Sequence, residues 1–219
     1  MPAQDEGLVH VAIGPVTLDG NLLVPENATG IVLFAHGSGS SRFSSRNRFV
    51  ASVLRDANLG TLLIDLLTPR EEQRDNVTAE LRFDIGMLAD RLAGTAEWLL
   101  RQRSGMRIGL FGASTGGGAA LVAAAERPEM IHAVVSRGGR PDLAGSALPR
   151  VKAPTLLIVG GDDLPVIALN RDAYDQMRCE RRMEIVPGAT HLFEEPGTLE
   201  TVAELARDWF ERYLDNSPR

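Results

Sequence analysis

A doubly wound α/β sheet is the fold that this 219-residue sequence predicts. Short apolar runs recur along the chain, several of them apolar on successive residues, as strands buried on both faces of a parallel sheet are. The intervals between runs leave room for a helix, and two carry a clear helical period. One run, 108–113, breaks into Gly112-Ala113-Ser114-Thr115-Gly116 and passes without a spacer into an alanine-rich helical stretch that starts near Gly117.

The elements follow in order. "HVAIGPVTLDGNLLVP" reads as a leading antiparallel hairpin, and the strand runs are 31–36, 61–67, 108–113, 131–136, 155–161 and 182–188. Leu81, Ile85, Leu88, Leu92, Ala96 and Leu99 recur every three or four residues, as do Val202, Leu205, Ala206, Trp209, Phe210 and Tyr213, so each set forms one face of an amphipathic helix. Alternation of strand and helix implies right-handed crossovers and helices on both faces of a mostly parallel sheet. With 44% hydrophobic and 24% charged residues, and no repeat or linker, residues 1–219 read as a single domain.

Composition also excludes function classes. A net charge of -6 and a pI near 5.3, with no long basic stripe, argue against nucleic acid as a partner. The first residues carry acids where a signal peptide needs a basic segment, and no apolar run approaches the roughly 20 residues that span a bilayer, so the expectation is a cytoplasmic protein without a membrane partner. Cys179 is the only cysteine, which leaves no intrachain disulfide. It reads as an ordinary residue at a helix end.

In such a sheet, ligands bind at the carboxyl ends of the strands. Four of those ends carry chemistry: His36 to Ser41 after the first central run, Ser114 after the third, Asp162 and Asp163 after the fifth, and His191 after the last. A serine hydroxyl is a poor nucleophile until a base takes its proton, and the base needs an acid to hold its tautomer. A glycine-rich strand-to-helix turn could instead hold a phosphate. The spacing here fits neither G-x-G-x-x-G nor a P-loop. Among the four histidines, His10 lies in the hairpin and His132 inside an apolar strand, where structural roles are expected. His36 is placed to fix the loop that follows it, so His191 is the base by elimination and position. It precedes a helix that Thr198 is positioned to cap. No histidines and carboxylates have metal-ligand spacing, and no cofactor or metal is expected.

Gly112-Ala113-Ser114-Thr115-Gly116 is a G-x-S-x-G nucleophile elbow in strand-to-helix context, and the order serine, aspartate, histidine is that of α/β-hydrolases. With "FAHGSGSS", "LLIVGGDD", "VPGATHLFEEPG" and "DWFERYL", the chain resembles the dienelactone hydrolase-like group of that superfamily over nearly its whole length. The resemblance implies an α/β-hydrolase fold and a Ser114–His191–aspartate triad. Family sites read Gly-x-x-Asp with an apolar residue three positions on, which Gly160, Asp163 and Val166 match; Asp162 is the alternative, with a loop-solvating or helix-capping role otherwise. The Thr115 amide, at a helix N-terminus, can stabilise an oxyanion. By resemblance the second donor is the Ser38 backbone N–H, which follows His-Gly.

Dienelactone hydrolases carry cysteine where Ser114 stands, and the serine directs the expectation to ordinary ester chemistry. Residues 136–155 are too few for a cap domain, so an open, shallow site for small soluble esters, lactones or thioesters is expected. Acyl transfer by the same triad, or a non-catalytic hydrolase-like binding domain, are the alternatives. Arg42, Arg46, Arg48, Arg137 and Arg140 gather at the expected mouth. Pairing with Glu71, Glu72, Glu194 and Glu195 is one expectation for them. The other, implied by the resemblance, is that Arg48 and Arg137 hold a substrate carboxylate.

Overall fold

The computed structural model describes residues 7–215. Its eight strands are β1 (Gly7–Ile13), β2 (Val16–Leu23), β3 (Gly30–Ala35), β4 (Gly60–Ile64), β5 (Arg107–Ala113), β6 (Ile131–Arg137), β7 (Thr155–Gly160) and β8 (Arg181–Val186). They form one sheet in the order β1-β2-β4-β3-β5-β6-β7-β8. The leading hairpin is antiparallel and joins the sheet through β2 on β4; every pairing from β4 to β8 is parallel.

The apolar runs are continuous because both faces of the sheet are covered. Along β3, Ile31, Leu33 and Ala35 enter one core while Val32 and Phe34 enter the other. The first core packs under α3 (Ile85–Gln102), α4 (Thr115–Glu126) and α5 (Leu164–Gln176). The second packs under α1 (Ser45–Asp56) and α6 (Thr198–Leu214), with Phe34 and Phe111 in tilted contact at 4.9 Å between centroids. Such a ring pair adds about 0.5–1.5 kcal/mol beyond the area it buries.

Helix starts follow local chemistry. Ser44 accepts the Asn47 N–H to begin α1, and Asp84 accepts the Met87 N–H to begin α3. Leu81 therefore lies in a short 3-10 turn, Leu81–Phe83, rather than in α3. The helix α2 (Pro69–Thr78) has a capping box between Thr68 and Glu71, and its only buried residue is Asp75. Two expectations are corrected. Thr198 does not cap α6: Gly197 occupies the cap position, and the Thr198 hydroxyl donates to the Glu195 carbonyl at 2.7 Å. Cys179 lies beyond the end of α5, half-buried, where burial pushes its thiol pKa up.

Between β6 and β7 stand only 3-10 turns, Pro141–Arg150, broken at Gly145, and no separate cap domain is present among the described residues. No helix among them is long and apolar enough to cross a membrane.

Candidate active site

The turn from β5 into α4 sets Ser114 at φ 51, ψ -122, a conformation that non-glycine residues rarely adopt and that stores about 1–3 kcal/mol of strain. Neighbouring contacts hold it there. The Ser114 N–H donates to the Arg137 carbonyl (3.3 Å), and the Ser114 carbonyl accepts from Gly117 and Arg140 (both 3.0 Å). Two glycines are required by space. A Cβ on Gly112 would lie 2.5 Å from the Gly116 carbonyl oxygen, and one on Gly116 would lie 2.3 Å from that of Ala35.

His191 Nδ1 and Asp163 Oδ2 are 2.7 Å apart. A carboxylate only accepts, so Nδ1 carries the proton and Nε2 keeps its lone pair for a hydroxyl. Asp163 occupies the cap position of α5 but makes no side-chain cap bond, which leaves its carboxylate for the histidine. Asp162 is exposed and contributes a backbone N–H to the Ala189 carbonyl (3.0 Å). The close approach of the loops from β7 and β8 depends on Gly160, whose Cβ would meet the Ala189 oxygen at 2.4 Å. Glu195 braces the histidine loop by accepting the Thr190 hydroxyl (2.6 Å) and amide (3.1 Å), and the hydroxyl bond chiefly lowers its carboxyl pKa.

On the other side of the elbow, His36 pins the loop after β3. Its Nδ1 donates to the Gly37 carbonyl (2.9 Å) and its Nε2 accepts the Leu66 N–H (3.1 Å). That pair of partners requires the neutral ring, and burial lowers its pKa accordingly. The Ser38 amide is engaged: it donates to Thr115 Oγ1 at 3.0 Å. Thr115 is the first residue of α4, so its own N–H is one of the helix's unpaired donors. The two other histidines are structural, His10 pairing with Asp19 at 2.8 Å and His132 accepting the Ile108 amide at 3.3 Å.

Ser114, His191, Ser38, Arg46, Arg137 and Leu192 share the lining of one open cavity of about 240 Å³. The arginines divide differently from the expectation. Arg48 is exposed and does not line this cavity. Arg46 does, because two positions along a helix rotate a side chain by about 200° and so place it on the opposite face. Arg46 pairs with Glu194 (3.0 Å), Arg140 with Asp142 (2.7 Å), and Arg42 with Asp65. Glu71 pairs instead with Arg91 (2.6 Å). Among the described residues Arg137 has no carboxylate partner; its Nε is buried without an acceptor, and its guanidinium lies 5.8 Å from the Phe193 ring centre. Burial, reinforced by the charge of Arg46, lowers its pKa to about 10. Sequence reasoning puts Arg46 at the mouth but chooses Arg48 for the substrate, pairs Glu195 with an arginine where it instead holds Thr190, and passes over Phe193. No group of three or more histidine, cysteine or acidic side chains is arranged to share a metal among the described residues.

A mostly parallel sheet with no cap domain among the described residues, and a strained serine elbow after its central strand, defines the class of α/β-hydrolases. Within that class the chain belongs to the dienelactone hydrolase-like proteins. It is 64% identical to a dienelactone hydrolase from Anabaena variabilis, whose crystal structure it matches with a TM-score of 0.94 over 95% of this chain and 98% of that one. A family model described as PET hydrolase-like matches residues 69–219. A lidless α/β serine hydrolase from Xanthomonas campestris shares the fold at 21% identity, with a TM-score of 0.78 over 100% of this chain and 99% of that one. The chain is also 57% identical, over 97% of its length, to a Mycobacterium tuberculosis protein provisionally named a phosphoribosyl transferase, of which it spans 47%.

Proposed function

We propose that this protein is a serine hydrolase that cleaves small soluble carboxylic esters, lactones or thioesters through an acyl-enzyme on Ser114. The observation that carries this reading is His191, hydrogen-bonded to Asp163 and lining one cavity with a strained serine. His191 Nε2 takes the Ser114 proton as Oγ bonds to the carbonyl carbon, and the carbonyl electron pair moves onto oxygen at the N-terminus of α4. Collapse breaks the bond to the leaving oxygen, which takes the proton from His191. Water then repeats the sequence and releases the acid.

Arg137, supported by Arg46, extends the reading to substrates with an anionic group, because an unpaired buried guanidinium favours a counter-ion. Binding of that group at a distance from the scissile bond would position the carbonyl over Ser114. The transferase name of the mycobacterial relative favours a place for phosphoribosyl chemistry in the half of that protein that this chain does not match, since the glycine-rich elbow here lacks phosphate-binding spacing. The test is a turnover screen of p-nitrophenyl esters, lactones and thioesters, each neutral and carboxylate-bearing, with product analysis in the presence of competing alcohols. Hydrolysis products support the reading. Exclusive transfer to the alcohol would reassign the protein as an acyltransferase, and inertness throughout would favour a binding domain.

A further inference from the structure

The oxyanion site differs from the two-amide arrangement expected of it. Ser38 N–H, the expected second donor, is spent on Thr115 Oγ1 at 3.0 Å. A threonine hydroxyl accepts and also donates one hydrogen. Its accepting side is filled by Ser38. Its donating side meets no acceptor among the described residues, although Thr115 is only 4% exposed. Buried donors are rarely left without a partner, and this one belongs to the residue next to Ser114.

We infer that the Thr115 hydroxyl is itself an oxyanion donor, working beside the Thr115 backbone N–H, with Ser38 N–H behind it as the group that orients and polarises it. The inference rests on the acyl-enzyme reading above. When Ser114 Oγ bonds to the carbonyl carbon, the oxygen that gains the electron pair accepts two hydrogen bonds from one residue, N–H and Oγ1–H. The chain Ser38 N–H to Oγ1, then Oγ1–H to oxygen, strengthens each member because hydrogen bonds in series polarise one another. Ser38 is then a positioning residue, and the Thr115 side chain a catalytic one. The short reach of the hydroxyl also demands little rearrangement as the oxygen turns from carbonyl to oxyanion, which is where such donors gain their effect.

The experiment compares wild type, Thr115→Val and Thr115→Ser on p-nitrophenyl acetate and on its thiono analogue, whose developing sulfur anion is a weak hydrogen-bond acceptor. The expectation for Thr115→Val is a fall in kcat of about 10²-fold on the oxygen ester with little change in KM. Its preference for the oxygen ester over the thiono ester should shrink at least about tenfold, as expected for removal of one oxyanion donor. Thr115→Ser, which restores the hydroxyl, should recover both rate and preference. A Thr115→Val enzyme as fast as wild type would overturn the inference. So would an equal loss on both esters, since that is the signature of a hydroxyl that merely anchors the loop. A wild-type protein that neither turns over the ester nor reacts with a fluorophosphonate would overturn the acyl-enzyme reading and this inference with it.

Discussion

Asp163 Oδ2 lies 2.7 Å from His191 Nδ1, whereas Asp162, its neighbour in sequence, is exposed and joined to the histidine loop only through its backbone. On the proposed reading, that difference assigns the acid to Asp163. Asp163→Asn should lower kcat about 10³–10⁴-fold, because an amide can present its N–H to Nδ1 and favour the wrong tautomer. Asp162→Asn should stay within a few-fold of wild type. Steady-state kinetics on one neutral ester decide it, and the reverse ranking would assign the acid to Asp162.

Arg137 combines a folding cost with the substrate-binding role proposed for it. Its folded pKa is lowered from 12.5 to about 10, so the charged form is disfavoured by folding at every pH below that value, by about 3 kcal/mol. Arg137→Met, which fills similar space without charge, should raise the melting temperature by a few degrees at neutral pH. The same variant should raise KM for a carboxylate-bearing ester at least about tenfold, the effect of losing one charge-assisted contact of about 1.5–3 kcal/mol, and leave its neutral analogue near wild type. Equal KM changes on both esters would leave Arg137 a structural residue.

Acid stability should depend on Glu71. Its bidentate pair with the buried Arg91 is the first cause of a carboxyl pKa lowered to about 2 from 4.5. The folded value is depressed, so the contribution is complete above about pH 4.5 and is lost as pH falls toward 2, for a total of about 2–3 kcal/mol. Glu71→Gln should flatten the acid limb of a urea-unfolding profile taken from pH 7 to 2.5 and lower stability at neutral pH. An unchanged acid limb would show that α2 is held without this pair.

Strain at the elbow can be read from two inactive variants. Ser114→Ala keeps a Cβ at φ 51, whereas Ser114→Gly removes it. Glycine adopts this region at little cost, so Ser114→Gly should be more stable than Ser114→Ala by about 1 kcal/mol, despite the greater freedom of glycine in the unfolded chain. Thermal unfolding of the pair measures it. Alanine equal to or above glycine would mean that the elbow carries no strain.

The parts of the fold legible in the sequence were those whose physics is local. Runs such as 108–113 are apolar throughout because both faces are buried, and glycines at 112 and 116 mark where backbone meets backbone. The α2 helix left no periodic trace because it buries one carboxylate and no apolar side chain, and is held by Thr68, Asp75 and Glu71. Choosing Arg46 over Arg48 required the phase of α1, which Ser44 sets by its cap and whose buried face, Asn47, Val50, Ala51 and Leu54, opens on a polar residue. The bond from Ser38 to Thr115 joins residues 77 apart in sequence through a hydroxyl that could have turned either way. Motif and strand order located the chemistry; side-chain directions came only with the packed structure.

The central claim is a covalent acyl group on Ser114. Intact-protein mass spectrometry of the enzyme quenched in acid within milliseconds to seconds of mixing with p-nitrophenyl acetate tests it most directly. The account predicts a gain of one acetyl group, located by peptide mapping to the fragment that carries Ser114 and absent from Ser114→Ala. Steady turnover by Ser114→Ala, or an acetyl group on any other residue of a turning-over enzyme, would contradict it.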